Sequence, residues 1–138
     1  MASFHLDIIT PERTVYSAEV ESLVIMAHDG YLGVRTGHAP MLAQLGIGQI
    51  RIKELNGREV RMACSGGFME VAPDKTVVLA DAVERPEEID VARAQAALER
   101  ARARLRDRQE DLDVVRVQLA IQRALNRLKL ASEERFDD

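Results

Sequence analysis

Asp90 and Arg93, within the stretch PEEIDVARA (86–94), are an acid and a base separated by one helical turn. Glu87, Glu88 and Asp90 suit the start of a helix, where free backbone N–H groups and the macrodipole favour negative charge. Arg93 then has two readings. It is the partner of a local ion pair, or it is one wall of a pocket for an anion. What lies across from it decides between them.

A fold-back of the chain near residue 108 would set position 124 opposite Arg93 and position 127 opposite Asp90. Arg123 and Arg127 are four apart and share a helix face, and Arg100 lies seven residues after Arg93 on its stripe. Such a hairpin gathers Arg93, Arg123 and Arg127 at its open end, with Arg100 further in. Guanidinium groups match phosphate oxygens in shape and charge. Glu84, Glu87, Glu88 and Asp90 could neutralise the cluster instead, and charged faces of surface helices are most often simply solvated.

Other chemistries find little support. His5, His28 and His38 are the only histidines, and none is spaced as a metal ligand pair. Cys64 is the sole cysteine, so no internal disulfide exists. It reads as a small buried hydrophobe in a strand rather than a nucleophile. The SGGFMEV stretch (65–71) is no catalytic elbow, and its paired glycines mark a bulge or a close strand approach. GVRTGHAP (33–40) reads as a Gly/Pro-bounded loop that presents His38 to a partner. A Walker-type phosphate loop is missing, and no pair of carboxylates forms an acid–base couple. The expectation is a protein that is not an enzyme and has neither catalytic nor metal site.

The elements that would position these residues divide near residue 85. All eight glycines lie before it, and no proline follows Pro86. Residues 1–84 carry 7 basic and 11 acidic side chains, whereas residues 85–138 carry 12 of each. The first part reads as short strands: FHLDIIT (4–10) alternates in hydropathy, and VESLVIMA (20–27) is apolar and β-branched. Asn56-Gly57 joins two alternating runs and predicts a two-residue hairpin loop. The second part is helical. Val91, Leu98, Leu105 and Leu112 recur every seven residues, with Ala94, Ala97 and Ala101 beside them. Val114, Val117, Ile121, Ala124, Leu128 and Ala131 continue at 3,4 spacing. RDRQED (106–111) between the two runs has neither Gly nor Pro, so a single helix of about 60 Å stays open beside the hairpin. The fold class expected is α+β in two parts: an N-terminal all-β sandwich or barrel (1–84) and a C-terminal antiparallel α-helical hairpin (85–138).

Bulk properties narrow the partners. A net charge of −4 offers no case for nucleic acid, and the Arg-rich run 100–108 lacks stacking aromatics. The opening MASFHLDIITPERT has neither the basic flank nor the apolar run of a secretory signal. No stretch approaches the roughly 20 apolar residues that span a bilayer, so membrane association is expected through protein partners, without direct insertion.

The arrangement resembles the epsilon subunit of the rotary F-type ATP synthase, in its bacterial type. ITPERTVYSAEVESLVIMAHDGYLGVRTGHAP (9–40) is similar to the family's opening pattern, and SGGFMEVAPDKTVVLADAVERPEEIDVARA (65–94) to its mid-chain signature. Arg35 departs from the apolar residue usual after Gly-Val, and Cys64 from a commoner β-branched residue. The resemblance implies a central-stalk rotor subunit of a proton- or sodium-translocating enzyme, peripheral on the cytoplasmic face of the bacterial inner membrane. It implies a β domain bound to the gamma subunit and seated on the c-ring, with the 28–40 segment and His38 in that contact. The hairpin would extend toward the alpha/beta catalytic head and inhibit ATP hydrolysis, with Arg116, Arg123, Arg127 and Lys129 meeting acidic segments there. The family's Ile/Leu-Asp-x-x-Arg-Ala motif is matched by Ile89, Asp90, Arg93 and Ala94. The resemblance adds Glu84, Arg100, Arg123 and Arg127 to a regulatory ATP site, with or without Mg, that favours the compact form; no cofactor is required. The alternative is a structural adaptor that senses no nucleotide.

Overall fold

The computed structural model describes residues 2–108 and 111–136, which divide into two compact units, one ending at Arg85 and the other beginning at Pro86. The first unit is built of seven strands: β1 (Phe4–Ile9), β2 (Thr14–Ala27), β3 (Gly30–Arg35), β4 (Met41–Glu54), β5 (Glu59–Val71), β6 (Lys75–Ala80) and β7 (Val83–Glu84). Five of them close a barrel in the order β1–β2–β4–β5–β6 and back to β1. β3 extends the wall beside β2, and the short β7 pairs with β5. Closure falls to β1, which runs antiparallel to β2 and parallel to β6.

Side-chain alternation explains why this ring forms. Phe4, Leu6 and Ile8 point inward along β1 and meet Leu23, Ile25, Ile50, Ile52, Met62, Met69 and Val78 in one core. Outside, β1 is fastened by polar contacts: Asp7 Oδ1 accepts from Ser17 Oγ at 2.6 Å on β2, and Asp7 Oδ2 meets Lys75 Nζ at 3.1 Å on β6. The Ser17 hydroxyl above all, helped by Lys75 and His5, holds the Asp7 carboxyl below its ordinary range against the opposing effect of burial. Tyr16 donates to Glu54 Oε2 at 2.6 Å, and burial together with that bond raises its phenol above its usual value.

Two turns differ from expectation. The Asn56-Gly57 loop is a three-residue connection: Gly57 N–H donates to Glu54 O, and Glu54 N–H donates to Arg58 O. Only Gly57 takes positive φ (+87°), whereas a two-residue type I′ loop needs it at both central positions. Asn56 instead accepts from Arg58 N–H through Oδ1 at 2.9 Å. Likewise, Gly33, Val34 and Arg35 belong to β3 rather than to a loop, because Val34 fills the core and pairs with Leu23. The reversal comes later, at Gly37, with φ +85°.

The second unit opens with a 3₁₀ turn (Pro86–Glu88), followed by α1 (Val91–Arg106) and α2 (Val114–Phe136). The helices pack antiparallel, burying Ala94, Leu98 and Ala101 of α1 and Val117 and Ala124 of α2. The chain is thus a barrel and a helical hairpin, and the single long helix is set aside. The seven-residue repeat is only in part a packed stripe: Leu98 is buried, whereas Val91 is exposed and Leu112 lies in the connection.

Gly67 carries the strongest constraint on the barrel. Its φ is +130°, and a Cβ there would collide with the backbone oxygen of Leu79 on β6. Gly67→Ala is expected to destabilise the protein by about 3 kcal/mol or more, because the β5–β6 ladder must shift. Gly57→Ala, with open space around it, should cost about 1–2 kcal/mol from positive φ alone. Urea unfolding of both variants measures the contrast.

Candidate functional site

The start of α1 settles the local role of Asp90. Its backbone is extended (φ −83°, ψ 98°), and its Oδ1 accepts from the Arg93 N–H at 3.0 Å. Asp90 is therefore the N-cap, and its carbonyl receives the Ala94 N–H at 3.0 Å. The Arg93 guanidinium remains exposed. Ile89 is buried, with its N–H donating to Pro86 O, and Ala94 is buried on the packed face of α1. Glu84 lies half-buried in β7 of the first unit, opposite Ala63.

The arginines meet further along the hairpin. A groove of about 580 Å³ runs between α1 and α2 and is walled by Arg100, Arg104, Arg116 and Arg123. Its floor is Ala97, Ala101, Val117 and Ala120, and among the described residues the carboxylates in its lining are those of Asp111 and Asp113. Small floor residues let the helices approach, which brings long side chains from both helices over one surface. Among the described residues, none of these four arginines has a carboxylate or other hydrogen-bonding partner for its guanidinium. Two of the expected anion-site residues, Arg100 and Arg123, are brought together here. Arg93 and Arg127 occupy earlier and later turns of the same stripes, outside the lining, and Arg127 is already engaged within the fold.

Sequence reasoning missed Arg104 and Asp113. Arg104 follows Arg100 by four and Ala97 by seven, so the stripe that held Arg93 and Arg100 contained the signal. Asp113 is the device that breaks the helix: its Oδ1 accepts from Arg116 N–H at 3.1 Å and its carbonyl from Val117 N–H. Asp107 ends α1, donating its N–H to Ala103 O. An aspartate just ahead of an apolar helical run is the cap signature that could have placed the bend.

Of the expected partner-contact residues, Arg116 and Lys129 are exposed, and Arg123 and Arg127 are half-buried. His38 is half-buried too, its Nδ1 2.7 Å from Ala39 O, beside a shallow cavity lined by Gly33, Val34, Arg35 and Gly37. On the barrel wall Phe68 faces Leu79 across β5 and β6, and both are more than half exposed, as is Leu42 on β4. Among the described residues there is no metal-holding cluster, and no helix is long and apolar enough to cross a membrane.

Cys64 is 2% exposed, and its thiol donates to Gly66 O at 3.5 Å. Burial, helped by the nearby Asp81 charge, pushes its pKa up to about 11 from 9.0. The thiolate needed for nucleophilic chemistry is suppressed at neutral pH. Above about pH 9 the unfolded chain releases this proton while the folded chain keeps it, so stability falls as pH rises toward 11 by up to about 1.4 kcal/mol per unit. Urea midpoints from pH 8 to 10.5 should show this slope, and Cys64→Ala should reduce it.

Comparison with known proteins matches both units. The family described as "ATP synthase, Delta/Epsilon chain, beta-sandwich domain" matches residues 3–86, and "ATP synthase, Delta/Epsilon chain, long alpha-helix domain" matches residues 87–132. The ATP synthase epsilon chain of Anoxybacillus flavithermus is 50% identical over 105 residues, covering 76% of this chain and 78% of that one. The epsilon chain of Moorella thermoacetica is 49% identical over 108 residues, covering 78% and 81%. Among solved structures, a chain of the Euglena gracilis mitochondrial ATP synthase OSCP/F1/c-ring assembly is similar with TM-score 0.77 and 26% identity, over 97% of this chain and 82% of that one. The chain belongs to the epsilon-chain family of bacterial F-type ATP synthases.

Proposed function

We propose that this epsilon-family subunit joins the gamma subunit to the c-ring in the central stalk and brakes ATP hydrolysis through its helical hairpin. It would be a non-catalytic subunit, peripheral on the cytoplasmic face of the membrane, without direct membrane insertion and without nucleic acid as a partner. The barrel is the docking part: the exposed apolar trio Leu42, Phe68 and Leu79 is suited to a protein partner, and the 28–40 segment with His38 offers a second contact. The hairpin is the regulatory part. Unfolded from its antiparallel packing, α2 would present Arg116, Arg123, Arg127 and Lys129 to acidic segments of the alpha/beta head.

The observation that carries the sensing half of this reading is the groove whose four arginines lack carboxylate partners among the described residues. Crowded like charges disfavour the closed hairpin, and a polyphosphate between them removes the penalty. A ligand that fits only the closed form shifts the balance by its differential affinity. ATP, with or without Mg, is the ligand proposed. Arg100 and Arg123 would take phosphates, joined by Arg93 and Arg127, with Ile89, Asp90 and Ala94 framing the site at the start of α1. Asp90 serves as the α1 cap in either case.

Titrating ATP onto the full chain is expected to raise its melting temperature and slow amide exchange in α1 and α2. Arg123→Ala with Arg127→Ala should abolish both effects. An unchanged wild-type protein would leave a structural adaptor with no nucleotide sensing. The brake is tested in the assembled enzyme with Ala97→Cys and Ala120→Cys, two groove-floor positions on facing helices. A disulfide or short cross-link there should relieve hydrolysis inhibition, and reduction should restore it. Inhibition that persists with the hairpin pinned shut overturns the braking mechanism.

A further inference from the structure

Two groove arginines are left unused by a nucleotide placed at the open end of the hairpin. Arg104 lies one helical turn beyond Arg100, about 6 Å further along α1 toward the bend. Arg116 lies seven residues before Arg123, two turns toward the same bend on α2. Both line the same cavity as Arg100 and Arg123. The margin carries two carboxylates, but that of Asp113 is held on the Arg116 backbone N–H as the α2 cap. Asp111 is exposed and pairs with no arginine among the described residues. Among the described residues of the lining, four guanidinium groups stand against two carboxylates, a net positive balance. The start of α2 adds the positive end of a helix dipole on that side.

A triphosphate is short compared with a row of cations extending from the open end to the bend. We propose that Arg104 and Arg116 form a further phosphate position, continuous with Arg100 and Arg123, so that the hairpin binds linear phosphate chains and ranks them by length. The ligand class is inorganic polyphosphates and nucleotides bearing more than three phosphates. Each added phosphate meets another guanidinium fork over an alanine floor, which permits close approach without steric selection for a base. The inference rests on reading the groove as a phosphate site, although it does not require that the preferred ligand be ATP.

The test is calorimetric titration of the full chain, at fixed salt, with ATP, adenosine 5′-tetraphosphate and inorganic tripolyphosphate. The wild-type protein is expected to bind the tetraphosphate at least about tenfold more tightly than ATP. Arg104→Gln with Arg116→Gln should shrink that preference below about twofold, with helix content by circular dichroism retained. The control pair Arg102→Gln with Arg106→Gln removes equal charge from exposed positions outside the groove and should keep the preference. Equal wild-type affinities for the two nucleotides, or a preference that survives Arg104→Gln/Arg116→Gln, overturns the inference. So does a preference lost equally in the control, which would mean general charge attraction. Tripolyphosphate binding that depends on Arg104 and Arg116, without any ATP binding, would support this site while refuting the nucleotide reading.

Discussion

Repulsion among arginines held over a floor of alanines is the constraint on which the hairpin's behaviour depends. Ala97, Ala101 and Ala120 let two helices lie close, and closeness forces Arg100, Arg104, Arg116 and Arg123 over one shared surface. Larger floor residues would spread the helices and relax the charges. Smaller or fewer arginines would leave an ordinary helical pair. The combination yields a closed form whose apolar contacts favour it and whose charges oppose it. Such a balance lies within reach of a weakly bound anion.

The barrel solves a different problem. Its first strand closes the ring, since β1 alone is shared between β2 and β6. Buried Leu6 and Ile8 hold it from within, while Asp7 bridges to Ser17 and Lys75 from without. The Arg85 guanidinium donates to Val15 O at 2.9 Å, tying the last residue of this unit back to β2. A closed ring leaves few free edges, so exposed apolar residues such as Phe68 and Leu79 stand out on a rigid wall. A closed barrel and a charge-opposed hairpin are complementary properties for a rotor part proposed both to hold its place and to respond.

Much of this was legible in the residues, and what was hidden has identifiable causes. Alternation in FHLDIIT and helical spacing after residue 90 specify their elements directly, because a half-buried strand and a packed helix each impose one period on hydropathy. Asn56-Gly57 pointed to a hairpin but not to its loop length, because the Asn56 side chain bonds to the backbone instead of adopting positive φ. GVRTGHAP looked like a loop because glycine and proline surround a single inward valine, and pairing with β2 outweighed local preference. The arginine stripe was visible in part: spacing found Arg100 and Arg123 and also carried Arg104, four residues after Arg100, but which turns of the stripe face α2 depends on where the bend falls. That bend was masked by helix-friendly residues and is made by the caps Asp107 and Asp113.

The absence of glycine and proline from the bend has a kinetic consequence. An X-Pro bond in the connection would tie each conformational change to isomerisation over tens of seconds, and a glycine would loosen the bend permanently. Opening of the hairpin, as proposed, would have to break only the caps at Asp107 and Asp113 and the packing of a narrow interface, on the time scales of helix fraying and side-chain motion. A hairpin that senses phosphate as proposed would therefore follow its supply without lag, as a gauge rather than a timer.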